Sequence, residues 1–238
     1  MDGNRNREMR NEPLLSVVAT SRNDDHGGNL LVRMQYFVDG LVAQCKRHGV
    51  TAEIILVEWN PPADRPPLAQ ALKWPIDPSP AQMRIVTVPH DVHARFAHAE
   101  KLPLYQMVAK NVGIRRARGK FILATNIDIL FSDAVFAYMR NSLQPGRLYR
   151  ADRCDVPPIL PTESINKWLG YCEHAFFRIN AKGGTLVKQD GKWRRQRDPA
   201  QLPFRARLVR KGTRLVRRVI RMVKGRSEER RVGKECRL

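Results

Sequence analysis

Apolar positions in this chain change spacing several times, and each change marks a predicted element. Leu14 to Thr20 is a short apolar run after a polar leader, the pattern of a strand buried in a sheet. Beyond a loop with Gly27 and Gly28, the residues Leu30, Leu31, Met34, Phe37, Val38, Leu41, Val42 and Cys45 recur at helical spacing. Gly49 supplies the left-handed residue at which such a helix stops. Glu53 to Trp59 is a second strand. Prolines at 61, 62, 66, 67, 75, 78 and 80 then forbid a long helix or a central strand, although Leu68 to Trp74 has room for about two turns. Arg84 to Pro89 is a third strand.

The next stretch, Ala109 to Asp133, carries the densest signal. Leu104, Val108 and Val112 share a helical face, and Arg115, Arg116 and Arg118 fall in the predicted last turn, where cations suit the helix dipole. Gly119 is the predicted stop. Phe121 to Ala124 is apolar without interruption, as in a parallel strand buried on both faces, and it delivers Thr125, Asn126 and Asp128 to its tip. Asp128 at that tip either turns the chain or serves a ligand; Ser132 and Asp133 are placed to cap a helix from Ala134 to Leu143. Gly146 to Val156 reads as a strand whose Asp152 and Asp155 alternate with Arg150 and Arg153, as at a sheet edge with one wet face. Tyr171 to Asn180 reads as a further helix. The order is that of an α/β fold, a mostly parallel sheet sandwiched by helices, with right-handed crossovers.

Composition adds exclusions. The chain has 238 residues and 42% hydrophobic content, enough for a packed core. No apolar run approaches the roughly 20 residues that span a bilayer, and MDGNRNREMRNEP at the start lacks the apolar centre of a secretory signal. Cys45, Cys154, Cys172 and Cys236 are scattered, so reduced thiols in a cytoplasmic protein are expected. His90, His93 and His98 invite a zinc reading, which their placement on an apparently irregular loop disfavours; they could equally line a ligand pocket.

The net charge of +20 is uneven: residues 192–225 hold 13 of the 43 basic residues and 1 of the 23 acidic ones. Leu208, Val209, Leu215, Val216, Val219, Ile220 and Val223 keep helical spacing there, framed by arginines and lysines. Such a basic amphipathic helix lies on an anionic membrane surface or packs on its own domain. Interleaved aromatics are absent, which disfavours nucleic acid. The last 13 residues, RSEERRVGKECRL, look like a translated sequencing adapter and are expected to carry no fold information. The expected divisions are a leader at 1–13, the α/β domain at 14–156, an extension at 157–191, the basic helix at 192–225 and the tail at 226–238.

Asn111, Gly113, Ala117 and Gly119, followed by an apolar strand ending in Asn126-Ile127-Asp128, resemble the segment of inverting family-2 glycosyltransferases that ends in D-x-D. The resemblance covers roughly residues 14 to 155. It implies a GT-A-type, Rossmann-like fold and transfer of a sugar from a nucleotide-diphosphate donor to the hydroxyl of an acceptor glycan or lipid-linked glycan. It places the nucleotide against Thr20, Ser21, Arg22 and Asn23, and it assigns the base or ribose to Glu58, a carboxylate that accepts hydrogen bonds. Lys110 is placed to reach the diphosphate as a point charge, and Asn111 and Asn126 are expected beside it in the nucleotide-sugar site. The implied cofactor is a divalent cation, manganese or magnesium, at Asp128; Asn126 departs from the family pattern and brings no charge. Asp24 and Asp25 either join the nucleotide loop or cap the next helix. The family's catalytic base has no counterpart segment here, so a chain lacking the acceptor half is expected, working at the inner face of the plasma membrane. Two other readings remain: a sugar-phosphate nucleotidyltransferase, whose glycine-rich basic loop SRNDD lacks, and a basic membrane- or nucleic-acid-binding adaptor without catalysis, with the sheet as scaffold.

Overall fold

A computed structural model describes residues 12–157, 160–161 and 164–196, and the backbone of 230–237. Four parallel strands form the first sheet, in the order β3-β2-β1-β4: β1 (Leu15–Ser21), β2 (Ala52–Trp59), β3 (Ala81–Val88) and β4 (Phe121–Ala124). Helices cover both faces, giving a Rossmann-like α/β fold. Every residue of β1 and β2 is buried, because alternate side chains meet different layers. Val17, Ala19, Ile54 and Leu56 pack with Met34, Phe37, Val38 and Leu41 of α1 (Leu30–His48). Val18, Ile55 and Val57 pack on the other face with Ala109, Val108 and Val112 of α4 (Gln106–Ile114).

The predicted α1 forms with its stop in place: Gly49 adopts φ 57°, and its amide bonds back to the helix end. Between β2 and β4 lie two single turns, α2 (Leu68–Ala71) and α3 (His90–His93). The prolines thus cut the expected second turn near Trp74, whereas the histidine loop holds a helical turn.

Three expectations around β4 need correction. The α4 helix ends at Ile114, so Arg115, Arg116 and Arg118 follow it rather than fill its last turn. Gly119 is not left-handed; it is required for close approach, since a Cβ there would stand 2.6 Å from the Ser16 amide nitrogen and 2.7 Å from the Leu15 carbonyl carbon. Finally, β4 is the sheet's edge, alternately half-buried and exposed, with Ile122 47% exposed. An apolar run alone does not distinguish two covered faces from one.

A second sheet, in the order β5-β10-β6-β7-β8-β9, contains β5 (Ile129–Phe131), β6 (Tyr149–Asp155), β7 (Arg178–Ala181), β8 (Gly184–Gln189), β9 (Lys192–Arg195) and β10 (Arg230–Arg237). Its other helices are α5 (Asp133–Ser142), capped by Ser132 as expected, and α6 (Ile165–Ala175). The strand β6 is interior rather than an edge, and Asp152 and Asp155 are buried. Asp155 accepts bonds from Arg153, Arg178 and Asn180, which explains how a charged strand enters a sheet. The helix expected over Tyr171 to Asn180 stops at Ala175 and gives way to β7. Lys192 opens β9, not a helix; the remainder of the expected basic helix lies outside the described residues. The tail, expected to carry no fold information, supplies β10, antiparallel to β5 and parallel to β6.

A buried polar node fastens the lower end of the first sheet. Glu53, 2% exposed, accepts bonds from Ser16 Oγ at 2.6 Å, from Arg84 Nη1 at 2.7 Å and from the Arg118 amide, while Gly119 donates its amide to Ser16 Oγ at 2.7 Å. Burial alone would raise the Glu53 carboxyl; the bonds from Ser16, the Arg118 amide and Arg84, with the Arg84 charge, bring it below its ordinary value. A carboxyl depressed in the folded state adds stability above its unfolded pKa of about 4.3 and loses it as pH falls through the lower folded value. Glu53→Gln is therefore expected to unfold at lower urea concentration than the parent at pH 7, with the gap closing below about pH 4. Gly119→Ala is expected to cost about 1–3 kcal/mol by overpacking. Gly170→Ala, where a Cβ meets nothing within 4 Å, is the control and should be neutral or stabilising in the same urea titration.

Candidate functional site

The carboxyl ends of parallel strands are where α/β sheets gather ligands, and a cleft of about 480 Å³ opens there. The end of β1 contributes Thr20, Ser21 and Arg22, and the loop after β4 contributes Asn126, Ile127 and Asp128. A second cavity, about 490 Å³, runs along the flank of β4 between Leu15, Ile122, Arg147 and Arg153. It lies away from the strand tips and brings together fewer polar groups that converge, so the tip cleft is the candidate site.

Asp128 is buried, 3% exposed, and its Oδ2 accepts a bond from Arg33 Nη1 at 3.1 Å. The guanidinium is itself fixed: Arg33 Nε donates to Gly28 O at 3.1 Å and Nη2 to His26 O at 2.5 Å. Gly27 adopts φ 77°, and a Cβ there would stand 3.0 Å from Arg33 Nη2, so Gly27 leaves room for the arginine while Gly28 contributes its carbonyl. Asn126 Oδ1 accepts bonds from Lys110 Nζ at 2.9 Å and Gln106 Nε2 at 3.2 Å. Gln106 and Lys110 stand one helical turn apart on α4, whose axis is set by Ala109 and Gly113 against the sheet. Arg22 faces Asp24 at 3.7 Å on the cleft's other wall.

Other expected site residues fall elsewhere. Glu58 is fully buried beside Ser21 in the strand register, but it is not among the cleft-lining groups. Its Oε1 accepts the Leu68 amide at 2.8 Å, so it caps the turn that follows the proline segment. Burial raises the Glu58 carboxyl, with the Leu68 bond opposing. Asn23 is buried and donates to Pro66 O at 2.9 Å, tying the β1 loop to the same segment. Asn111 is exposed on α4 and does not line the cleft. Asp24 and Asp25 take local roles: Asp24 accepts the His26 amide, and Asp25 accepts the Leu30 amide at 3.0 Å, capping α1 from outside its Asn29. His93 is buried, with Nδ1 accepting from Trp59 Nε1 at 2.8 Å. His90 meets Asn60 at 3.0 Å.

Arg33 is the residue that sequence reasoning missed. Its signal was present: it is a cation near the amino end of a helix whose first turn holds no acid, where the dipole favours anions. Such a charge needs a partner, and the partner lies 95 residues away.

For a divalent cation, the donor set is a poor match. Hard cations take about six or more oxygen ligands, whereas Asp128 already faces a guanidinium and the Asn126 oxygen carries an ammonium. Among the described residues, no three His, Cys, Asp or Glu side chains converge as ligands. No family model and no curated protein matches the chain.

Two substitutions check these assignments by urea unfolding. Asp128→Ala strands the largely buried Arg33 and is expected to cost on the order of 3 kcal/mol, whereas Asp128→Asn keeps an acceptor and costs much less. For Glu58, a raised folded pKa means stability falls as pH rises from about 4.3 through that value. Glu58→Gln keeps the Leu68 bond and should remove this decline, so it gains on the parent at pH 7, opposite in sign to Glu53→Gln.

Proposed function

We propose that the cleft binds a nucleotide-diphosphate sugar and that the protein is a family-2-like glycosyltransferase of GT-A type. The observation that carries this reading is the convergence of the β1 tip, Thr20 to Arg22, with Asn126-Ile127-Asp128 on one cleft. The parallel order β3-β2-β1-β4 supports it, since it puts both segments at the same end of neighbouring strands. The reaction class is carried over from the family resemblance; fold alone does not fix it, and the local chemistry has to carry the site.

In this reading the nucleoside lies against Thr20, Ser21 and Arg22, and the diphosphate points toward Asn126 and Lys110. The acceptor oxygen attacks the anomeric carbon from the face opposite the diphosphate. The bond to the diphosphate oxygen breaks with its electron pair, and the hydroxyl proton passes to a general base. Positive charge near the departing diphosphate lowers the barrier because negative charge grows there. An acceptor glycan, free or lipid-linked, is the second substrate. Work at the inner face of the plasma membrane belongs to the same proposal; among the described residues, no helix is long and apolar enough to cross a membrane.

Hydrogen exchange with added UDP or GDP tests donor binding directly. One of the two nucleotides is expected to protect amides at 20–26 and 125–128, leaving 147–153 beside the β4 cavity unchanged. Protection confined to 147–153, or none with either nucleotide at millimolar concentration, would overturn the reading.

A further inference from the structure

We infer that the free edge of the second sheet, β7 to β9, is a docking surface for an anionic lipid bilayer, which Trp193 and Phe177 enter and which Lys188, Lys192 and Arg194 hold by charge. None of these residues lines the tip cleft, so the surface is independent of the nucleotide-sugar reading.

Strand register builds the surface. The Lys188 amide donates to the Phe177 carbonyl at 2.8 Å, and Lys188 pairs with Trp193 on the next strand. Directly opposed residues of antiparallel strands present their side chains on one face, so the three make a row of aromatic, ammonium and aromatic. Phe177 is 39% exposed and Trp193 is 40% exposed. A two-residue turn joins β8 to β9, with Asp190 at φ 50° and Gly191 at φ 73°, the left-handed pair that a tight hairpin requires, and it fixes this register. Among the described residues β9 is the outermost strand, and all of its residues are exposed. Lys192 and Arg194 point to the other face of β9 but reach the same edge, toward which their long stems can turn.

Between Lys182 and Arg195 the chain has five basic residues and one acid, Asp190. Arg195 is held by the Gly183 carbonyl. Lys188, Lys192 and Arg194 are exposed, and among the described residues no carboxylate pairs with them. Basic residues along an open edge also guard a sheet against pairing with other chains, but that role gives no reason to display two large rings beside them. A bilayer interface does: the rings settle at headgroup depth while the cations gain from anionic lipid. A nucleic-acid strand would also take charge and rings, but by stacking its bases on open ring faces. One face of Trp193 is covered by Phe176, with centroids 5.4 Å apart and planes at 23°, and the Arg178 guanidinium stands over Phe177, 5.9 Å from its centroid. Insertion into lipid uses exposed ring area rather than free faces, so the arrangement favours the bilayer.

Flotation of the full chain with vesicles tests the surface. Binding is expected to equimolar phosphatidylcholine and phosphatidylglycerol, not to phosphatidylcholine alone, and it is expected to weaken as salt rises. The triple variant Lys188→Gln, Lys192→Gln, Arg194→Gln is expected to bind weaker by about tenfold or more, with an unchanged midpoint of urea unfolding. With brominated lipid in the anionic vesicles, tryptophan fluorescence is expected to be quenched in the parent and to lose most of that quenching in Trp193→Phe, which keeps a ring on Phe176 and still binds. Trp59, Trp74 and Trp168 serve as the internal control. Absence of binding, equal binding to both kinds of vesicle, or equal quenching in the parent and Trp193→Phe overturns the inference. The residues beyond 196 are present in every variant, so vesicle binding left unchanged in the triple variant arises elsewhere in the chain and also overturns it. If the triple variant instead loses binding to a single-stranded oligonucleotide while vesicle binding stays, the surface is one for nucleic acid and the bilayer is ruled out.

Discussion

The fold depends first on one carboxylate buried at the lower end of the parallel sheet. Glu53 gathers a hydroxyl from β1, a guanidinium from β3 and an amide from the segment entering β4. It therefore touches all four strands or their approaches from a single position on β2. A buried charge is tolerable only when its lone pairs are met by good donors; once they are met, the donors lose their freedom. That constraint sets the height at which β1, β2 and β4 begin. The register at the opposite ends, where Ser21 and Glu58 stand level and Thr125 bonds to Val18, follows from it.

The second constraint spans the sheet's upper rim. Arg33 and Asp128 join the start of α1 to the loop after β4, so an ion pair adds to the apolar packing of Leu30 and Ile127 in holding the two walls of the cleft. An arginine near a helix amino terminus runs against the dipole. Here the offset comes from two loop carbonyls and an aspartate, and Gly27 leaves the room those contacts occupy. The pair's energy depends on both partners staying dry, which makes the loop at 24–29 part of the site even where it touches no ligand.

Much of the central frame was legible because its signals are local. The runs at Leu14 to Thr20 and Glu53 to Trp59, the helical repeat from Leu30 and the stop at Gly49 each rest on a few neighbouring residues, and they formed β1, β2 and α1 within a residue or two. What misled was anything whose meaning lay across the sheet. Phe121 to Ala124 looks interior, yet among the described residues β4 has a neighbour on one side alone in its sheet. Gly119 looks like a helix stop, yet its need comes from the Ser16 backbone 103 positions earlier in the chain. Glu58 sits at a strand tip by sequence, but the side of the sheet it faces brings it under the proline segment and against Leu68. At the site, Asn126 and Asp128 were legible from their position after a strand; Gln106 carries no local signature, and Arg33, a cation at a helix start without an acid, signals the need for a partner but not which residue meets it.

Three buried carboxylates, Glu53, Glu58 and Asp128, show how frame and site are kept apart. Glu53 accepts from donors in three directions, which brings its carboxyl below its ordinary value against the effect of burial. Glu58 has a single backbone donor, and burial raises its carboxyl, so its charge is tolerated rather than used. Asp128 alone lines open space, and it does so with its charge already answered by Arg33. The sheet thus carries its best-satisfied acid at the end where strands must be aligned and its cleft-lining acid at the end where a ligand would enter. A cleft whose two acids each face a guanidinium presents little net negative charge, so an anion meets hydrogen-bond donors there rather than a repelling field.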